Sequence, residues 1–261
     1  MIRMDLHLHT NLSSCANKQA TVEGYVEKAR DLGIEVLGFS NHMWDARVKG
    51  ASEWYAPQTF EHIMKIKEDF KLVDTSIKLL LGCETECDKN GVIGISEEAA
   101  KQLDFVLVPN SHTHMDNFTI PIEEKTTLER HAKYLVKKFM DIVNHPLAKY
   151  FTAIAHPFHA VGCKEHEEIV SYISDYEFEQ CFMAARKLNI ALEINTSVFY
   201  KYDIHQLQNT NYIRMLRIAK EIGCKFTIGS DSHSLEKMET LSCADHVMRF
   251  AGITSEDLLL L

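Results

Sequence analysis

Imidazoles and carboxylates recur at short spacings along this chain: His7 and His9, His42, Glu84, His112 and His114, His156, Glu193 with Asn195, and Asp231 with His233. Each follows a short apolar run, and these are residue types that ligate divalent metal ions. Side chains two positions apart on an extended strand point the same way, so His7 and His9 can reach one ion. Asp231 and His233 repeat that device near the other end of the chain. His42 and His156 are single imidazoles just beyond apolar runs, and Glu84 follows the run ending Leu81-Gly82, where a carboxylate can bridge two ions. Any one of these is as easily a structural residue, and the inference rests on their conjunction. Imidazole mixed with carboxylate suits Zn, Mn or Fe better than Ca or Mg. Asp5 points the same way as His7 and His9, either orienting a ligand histidine or acting as an ordinary strand-start residue.

Residues so far apart in sequence meet only if the elements carrying them share one face. A parallel barrel gathers the carboxyl ends of its strands there. Ile2 to Leu8 is β-rich. Thr21 to Leu32 has helical spacing, with Thr21 as N-cap and Gly33 as stop, and Ile34 to Phe39 is a short buried strand. This unit repeats: strands are predicted at Ile77 to Leu81, Phe105 to Val108, Phe151 to Ala155, Ile190 to Ile194 and Lys225 to Ile228, alternating with helices near 58–73, 123–143, 174–188, 209–222 and 236–250. Continuous apolar runs indicate strands buried on both faces, as in a parallel sheet. The poorly patterned stretches Asn41 to Pro57 and Ser111 to Ile122 both follow candidate ligands and read as walls or lids of a pocket. With no linker or repeat, the whole of 1–261 reads as one α/β domain.

Composition narrows the functions available. With 28 basic against 37 acidic side chains and a net charge of -9, neither a broad grip on nucleic acid nor a polybasic membrane patch is expected. An anionic substrate then needs local positive charge, which bound cations supply. The 7 cysteines are odd in number and contain no Cys-x-x-Cys pair, which reads as reduced thiols in a cytoplasmic protein. The first residues lack the pattern of a signal peptide, and no segment reaches membrane-spanning length. Leu258 to Leu261 is too short to span and caps either the core or a homo-oligomer contact.

Read in order, Asp5 to Thr10 (DLHLHT), Asn41-His42, Gly82 to Glu84 (GCE), Ser111-His112, Ala155 to Pro157 (AHP), Leu192 to Asn195 (LEIN) and Gly229 to His233 (GSDSH) resemble the PHP (polymerase and histidinol phosphatase) superfamily of metal-dependent phosphoesterases. The resemblance covers nearly the whole chain, and its last two segments look most like the single-domain phosphatase branch. It implies a distorted (β/α)7 TIM-like barrel with a trinuclear Zn, Mn or Fe site. In that scheme His7, His9, Glu84 and Asp231 hold the first ion, Glu84, His112 and His156 the second, and His42 and His233 contribute to the third.

Two departures stand out. Where the family usually offers Asp or His, this chain has Ser13 to Ala16 (SSCA), so either Cys15 is a thiolate ligand, which favours zinc, or the third ion is weak or absent. The expected cofactor is therefore two to three divalent transition metal ions. Pro109 to His114 (PNSHTH) offers two histidines for one, and His112 is assigned to metal with His114 left for substrate contact or proton transfer. His159 is a candidate outer partner of the site, Glu193 and Asn195 either orient ligands or are buried hydrogen-bonding residues, and the remaining histidines are assigned to surface or packing. Arg47 and Lys201 either hold a substrate phosphate or are solvated charge. The expected activity is hydrolysis of a small phosphomonoester by an ion-activated water, with His114 and Asp231 as catalytic candidates. Histidinol phosphatase, a metallohydrolase of another bond type and a non-catalytic metal-binding module are the alternatives.

Overall fold

The computed structural model describes residues 4–261, so the strand start expected at Ile2 lies outside the described residues. Eight strands form one sheet: β1 (Met4–Leu8), β2 (Val36–Phe39), β3 (His42–Met43), β4 (Lys78–Thr85), β5 (Phe105–Pro109), β6 (Ala153–Ala155), β7 (Ala191–Asn195) and β8 (Phe226–Gly229). Their order is β1-β2-β4-β5-β6-β7-β8 and every pairing is parallel. The short β3 takes over beside β4 where β2 stops, pairing His42 with Glu84. The expected TIM-like α/β barrel is thus observed, with β2 and β3 sharing one strand position. Glu84 lies inside β4 and not beyond its end, because the strand continues through Gly82 to Thr85.

The ring closes between its first and last strands by unequal means. Leu8 bridges Ser232, and the N–H of His9 donates to the Ser232 carbonyl at 2.9 Å. Lower in the seam a side chain stands in for the ladder. The buried Asp5 carboxylate accepts the Ser230 N–H at 2.9 Å, the Ser230 hydroxyl at 2.5 Å and the His7 N–H at 3.1 Å. Asp5 thus accepts from the backbone of His7 on its own strand and from Ser230 across the seam, a closing role that neither reading of it named. Tyr25, buried on the helix Val22–Leu32, sets its hydroxyl 3.1 Å from the His9 carbonyl and 2.9 Å from that of Ser232.

Helix boundaries follow local chemistry. The Thr21 hydroxyl accepts from the Gly24 N–H, and Gly33 ends that helix in the left-handed region at φ 70. The helix expected over 58–73 is split into Phe60–Ile63 and Ile66–Leu72, and that over 236–250 into a 3-10 stretch, Leu235–Cys243, and a helix, Ala244–Ala251. Leu259 donates its N–H to the Phe226 carbonyl, so the C-terminal leucines cover the core beside β8. Among the described residues, no helix is long and apolar enough to cross a membrane.

Phe105 fills the barrel interior against two glycines. A Cβ on Gly82 would meet its ring at 2.5 Å, and one on Gly38 at 2.8 Å. Protein interiors do not yield that space without strain. Gly82→Ala should therefore cost ~1–3 kcal/mol in urea unfolding, as overpacking does, and pairing it with Phe105→Leu should return part of the loss. A Gly82→Ala protein as stable as the parent would show that the ring has room to move.

Candidate metal centre

The carboxyl ends of the strands bring the imidazoles and carboxylates into a single buried cluster around Glu84. His7 Nε2 and His9 Nε2 face each other at 3.0 Å. Glu84 Oε2 lies 3.3 Å from His7 Nε2, 3.5 Å from His9 Nε2 and 3.1 Å from His42 Nδ1. Its other oxygen lies 2.9 Å from His156 Nε2 and 3.6 Å from His112 Nε2. Asp231 Oδ1 completes the cluster 3.5 Å from His7 and 3.4 Å from His9. Four sets of donor atoms lie within 4.8 Å of one another: His7, His9 and Glu84; Glu84, His112 and His156; His7, His156 and Asp231; and His9, His42 and His233. His9 thus joins His42 and His233, a grouping absent from the sequence-based ligand sets.

Whether this arrangement fits cations is decided by the outer nitrogen of each ring. His7 Nδ1 is held by Glu193 Oε1 at 2.6 Å, His112 Nδ1 by Glu86 Oε2 at 2.7 Å and His156 Nδ1 by the Ser111 hydroxyl at 2.5 Å. His9 Nδ1 meets Ser13 Oγ at 3.4 Å, and that hydroxyl donates onward to Asn41. Acceptors on Nδ1 leave each Nε2 as a lone pair aimed inward, the usual tautomer of a metal-ligating histidine. Lone pairs of His7 and His9 at 3.0 Å repel unless a cation lies between or beside them. Glu84 Oε2 and His42 Nδ1, both buried, also have no aligned hydrogen-bond partner. The donor set therefore fits divalent ions.

Electrostatics agree with that fit. Burial raises the Glu84 pKa, but His7, His112, His42 and His156 overcome it and hold the carboxyl well below its ordinary range. Burial opposes a charge on His7, and Glu193, Asp231 and Glu84 together raise its pKa well above the usual value. Burial and the neighbouring His233 push His9 down to about 3. The Glu84 carboxylate is thus ionised, and the acidic groups around it draw positive charge into the cluster, as a proton on His7 or as a bound cation.

The strand ends bearing these ligands are strained. His156 has φ 28 and Asp231 φ 54, left-handed values that non-glycine residues avoid. Glu193 restrains the first of these by accepting the His156 N–H at 2.6 Å, while Asn195 Nδ2 contacts Glu193 at 3.2 Å and Asp231 at 3.5 Å. Gly229 is required beside them, because a Cβ there would lie 2.2 Å from Glu193 Oε1 and 2.5 Å from His7 Cβ.

Glu86 and Lys138 are participants that no sequence signal singles out. Glu86 lies two positions beyond Glu84, a spacing that could have flagged it, and it pairs with buried Lys138 Nζ at 3.3 Å. Nothing in the sequence marks Lys138, which comes from the helix Leu128–Val143. Asn41 accepts from Thr10 and from Ser13, fixing the segment after His9.

Above the cluster opens a cavity of about 500 Å³ reaching His42, His112, Asp231 and His233, with walls from both expected loops. Cys15 lines it and is exposed, but belongs to none of the four donor sets. Although the residue as a whole is exposed, partial desolvation of its thiol by the surrounding protein, with the charges of Glu84 and Asp231 adding, raises its pKa to about 12. His114 lines the cavity with its ring 5.3 Å from that of His112, and burial brings its pKa to about 4. Arg47 pairs with Asp45 at 2.9 Å and Lys201 contacts His166 Nε2 at 2.5 Å, and neither lines the cavity. His159 turns to the Tyr212 hydroxyl at 3.0 Å.

Comparison with known proteins adds a sequence and a fold dimension. The signature of the PHP domain matches residues 5–197. A probable phosphatase of Thermoanaerobacter sp. (strain X514) is 24% identical over 99% of this chain and 91% of its own length. A probable phosphatase of Shewanella loihica is 28% identical over 88% of this chain and 77% of its own. Among solved structures, histidinol phosphate phosphatase from Lactococcus lactis, complexed with zinc, L-histidinol and phosphate, superposes with TM-score 0.68 at 19% identity, covering 97% of this chain and 94% of that one. A chain from the structures of YwqE of Bacillus subtilis and CpsB of Streptococcus pneumoniae, metal-dependent tyrosine phosphatases, shares the fold at TM-score 0.51 and 15% identity, over 94% of this chain and 86% of that one.

The outer layer gives a direct test. Glu193→Gln keeps the shape but weakens the hold on His7 and on the His156 backbone, and metal affinity should fall by ~10–100-fold in chelator competition, with circular dichroism unchanged. Undiminished affinity would show that Glu193 does not orient these ligands.

Proposed function

The chain belongs to the PHP domain family, and on that premise we propose that it is a metal-dependent phosphomonoesterase acting on a small phosphorylated substrate. The observation that carries this reading is the convergence of four donor sets around the buried Glu84 beneath an open cavity. In this reading His7, His9, Glu84 and Asp231 hold one ion, Glu84, His112 and His156 a second, and His42 and His233, with His9 beside them, a third. Cys15 is the rim residue able to add a thiolate to that third position. Two to three ions of Zn, Mn or Fe suit the donors. Bound there, they supply Lewis acidity that brings the pKa of water toward neutrality and neutralises phosphoryl oxygens.

The chain's own residues do the rest by positioning. Glu193, Glu86 and Ser111 hold the Nδ1 atoms of His7, His112 and His156 and so turn their Nε2 atoms toward the cluster, where an ion would bind. Asp231 borders the cavity and is the carboxylate placed to receive a proton from the attacking water, with Asn195 steadying its second oxygen. His114, neutral at pH 7, fits a hydrogen-bonding contact to the ester oxygen better than a role as acid. Asp231 and His233 lie beyond the matched span of 5–197, so the working unit in this reading is the whole of 1–261, and its seven free thiols suit a reducing, cytoplasmic setting.

Metal content per chain by mass spectrometry, on protein purified without chelator, together with phosphate release from a panel of monoesters including histidinol phosphate, tests this function. About two to three transition ions and measurable release are expected. His9→Ala and Asp231→Ala should each lower kcat/KM by more than the ~10–100-fold characteristic of an outer-layer partner, with the fold retained. Unchanged turnover in both variants would exclude the scheme.

A further inference from the structure

The cavity's walls carry information that the metal cluster does not. Apart from the donor residues and the rim residues Cys15 and His114, its lining is Trp54, Tyr55, Met115 and Val161. Among the described residues lining it there is no lysine or arginine, and Asp231 is the one carboxylate. The two cations that the sequence offered for phosphate binding are engaged elsewhere, Arg47 with Asp45 and Lys201 with His166.

The aromatic wall is built as a unit. Trp54 stands edge-on to the His42 ring at 5.1 Å and to Tyr55 at 4.7 Å, while remaining 38% exposed. Tyr55 is itself backed by Trp44 at 6.1 Å and Phe118 at 5.9 Å. A large indole left this open in a folded protein is notable only where it borders a cavity, as here. Burying a ring against such a surface is favourable, whereas an ammonium or a second phosphate placed there would lose hydration without gaining a counter-charge.

Resting on the phosphomonoesterase reading, we propose that the site selects monoesters of uncharged aromatic alcohols, with the phosphate at the metal cluster and the ring of the leaving group against Trp54, Met115 and Val161, the buried Tyr55 supporting Trp54 from behind. Hydrolysis replaces the alcohol's P–O bond by one to the water oxygen, and a proton from that water ends on the departing oxygen. The alcohol therefore leaves neutral, and the apolar wall holds no charge at any stage. About 500 Å³ accommodates a ring, a short linker and a phosphate.

Two primary alkyl esters separate this proposal from intrinsic reactivity: 2-phenylethyl phosphate and O-phosphoethanolamine, assayed on metal-loaded protein. The aromatic ester should have a kcat/KM at least about tenfold higher. Trp54→Ala should narrow that ratio toward one, chiefly through KM, and Val161→Asp, which adds a carboxylate to the wall, should shift it toward the ammonium ester. Calorimetric binding of 2-phenylethylphosphonate against methylphosphonate gives a readout free of turnover, and the aromatic phosphonate should bind more tightly by a similar factor. Equal binding of the two phosphonates, or an equal or reversed ratio of kcat/KM in the parent protein, would overturn the selectivity. Tighter binding of the aromatic phosphonate without phosphate release from any ester would uphold the pocket's preference and remove the hydrolytic reading beneath it.

Discussion

A carboxylate taken out of water among imidazoles is costly unless a cation answers it, and Glu84 imposes that condition on the rest of this molecule. It is 1% exposed and lies within 3.6 Å of nitrogens from five histidines carried by different strands or the loops following them. No packing of apolar side chains could satisfy such a group. The barrel's geometry, its close approaches at glycine and the polar layer outside the rings all serve to keep those nitrogens aimed at one place.

The outer layer is as consequential as the cluster. Glu193 touches a ring on β1 and the backbone after β6, and Glu86 links a ring beyond β5 to a lysine on a helix outside the barrel. These contacts decide which nitrogen of each ring carries the proton, so they determine whether a histidine is a ligand or merely a neighbour. The left-handed backbone at His156 and Asp231 belongs to the same economy of positioning, since strain of this kind persists where surrounding contacts over-determine it. An enzyme of this chemistry works by holding groups still, and the contacts around Glu193 do that over a span from His7 to Asp231.

Much of this could be read from the sequence, for identifiable reasons. Apolar runs exposed the strands because a sheet covered on both faces needs them, and period-two spacing exposed His7 with His9 and Asp231 with His233. The resemblance to the PHP superfamily then followed from short segments in a shared order. What escaped depends on partners brought together only by folding. Lys138 meets Glu86 from 52 positions away, and Asp5 meets Ser230 from 225 away. The sequence pattern sets Glu84 beyond its strand because Gly82 looks like an ending, whereas the strand runs on and the glycine admits the Phe105 ring. The helix over 58–73 had the right apolar spacing, but its hydrogen bonds slip to the i+3 pattern around Met64 and Lys65.

The seam between β1 and β8 also bears on how the protein comes into being. Chains emerge from the ribosome amino end first, so His7 and His9 are made more than 200 residues before Asp231 and His233. Until β8 is in place, the two early imidazoles lack Asp231, the Ser232 carbonyl that fixes their strand and the glycine that lets Glu193 approach. Contacts of this sequence separation form late and slowly. Assembly of the donor cluster is therefore coupled to docking of β8 and the segment that follows it, and a barrel lacking that strand presents scattered histidines instead of a chelating site.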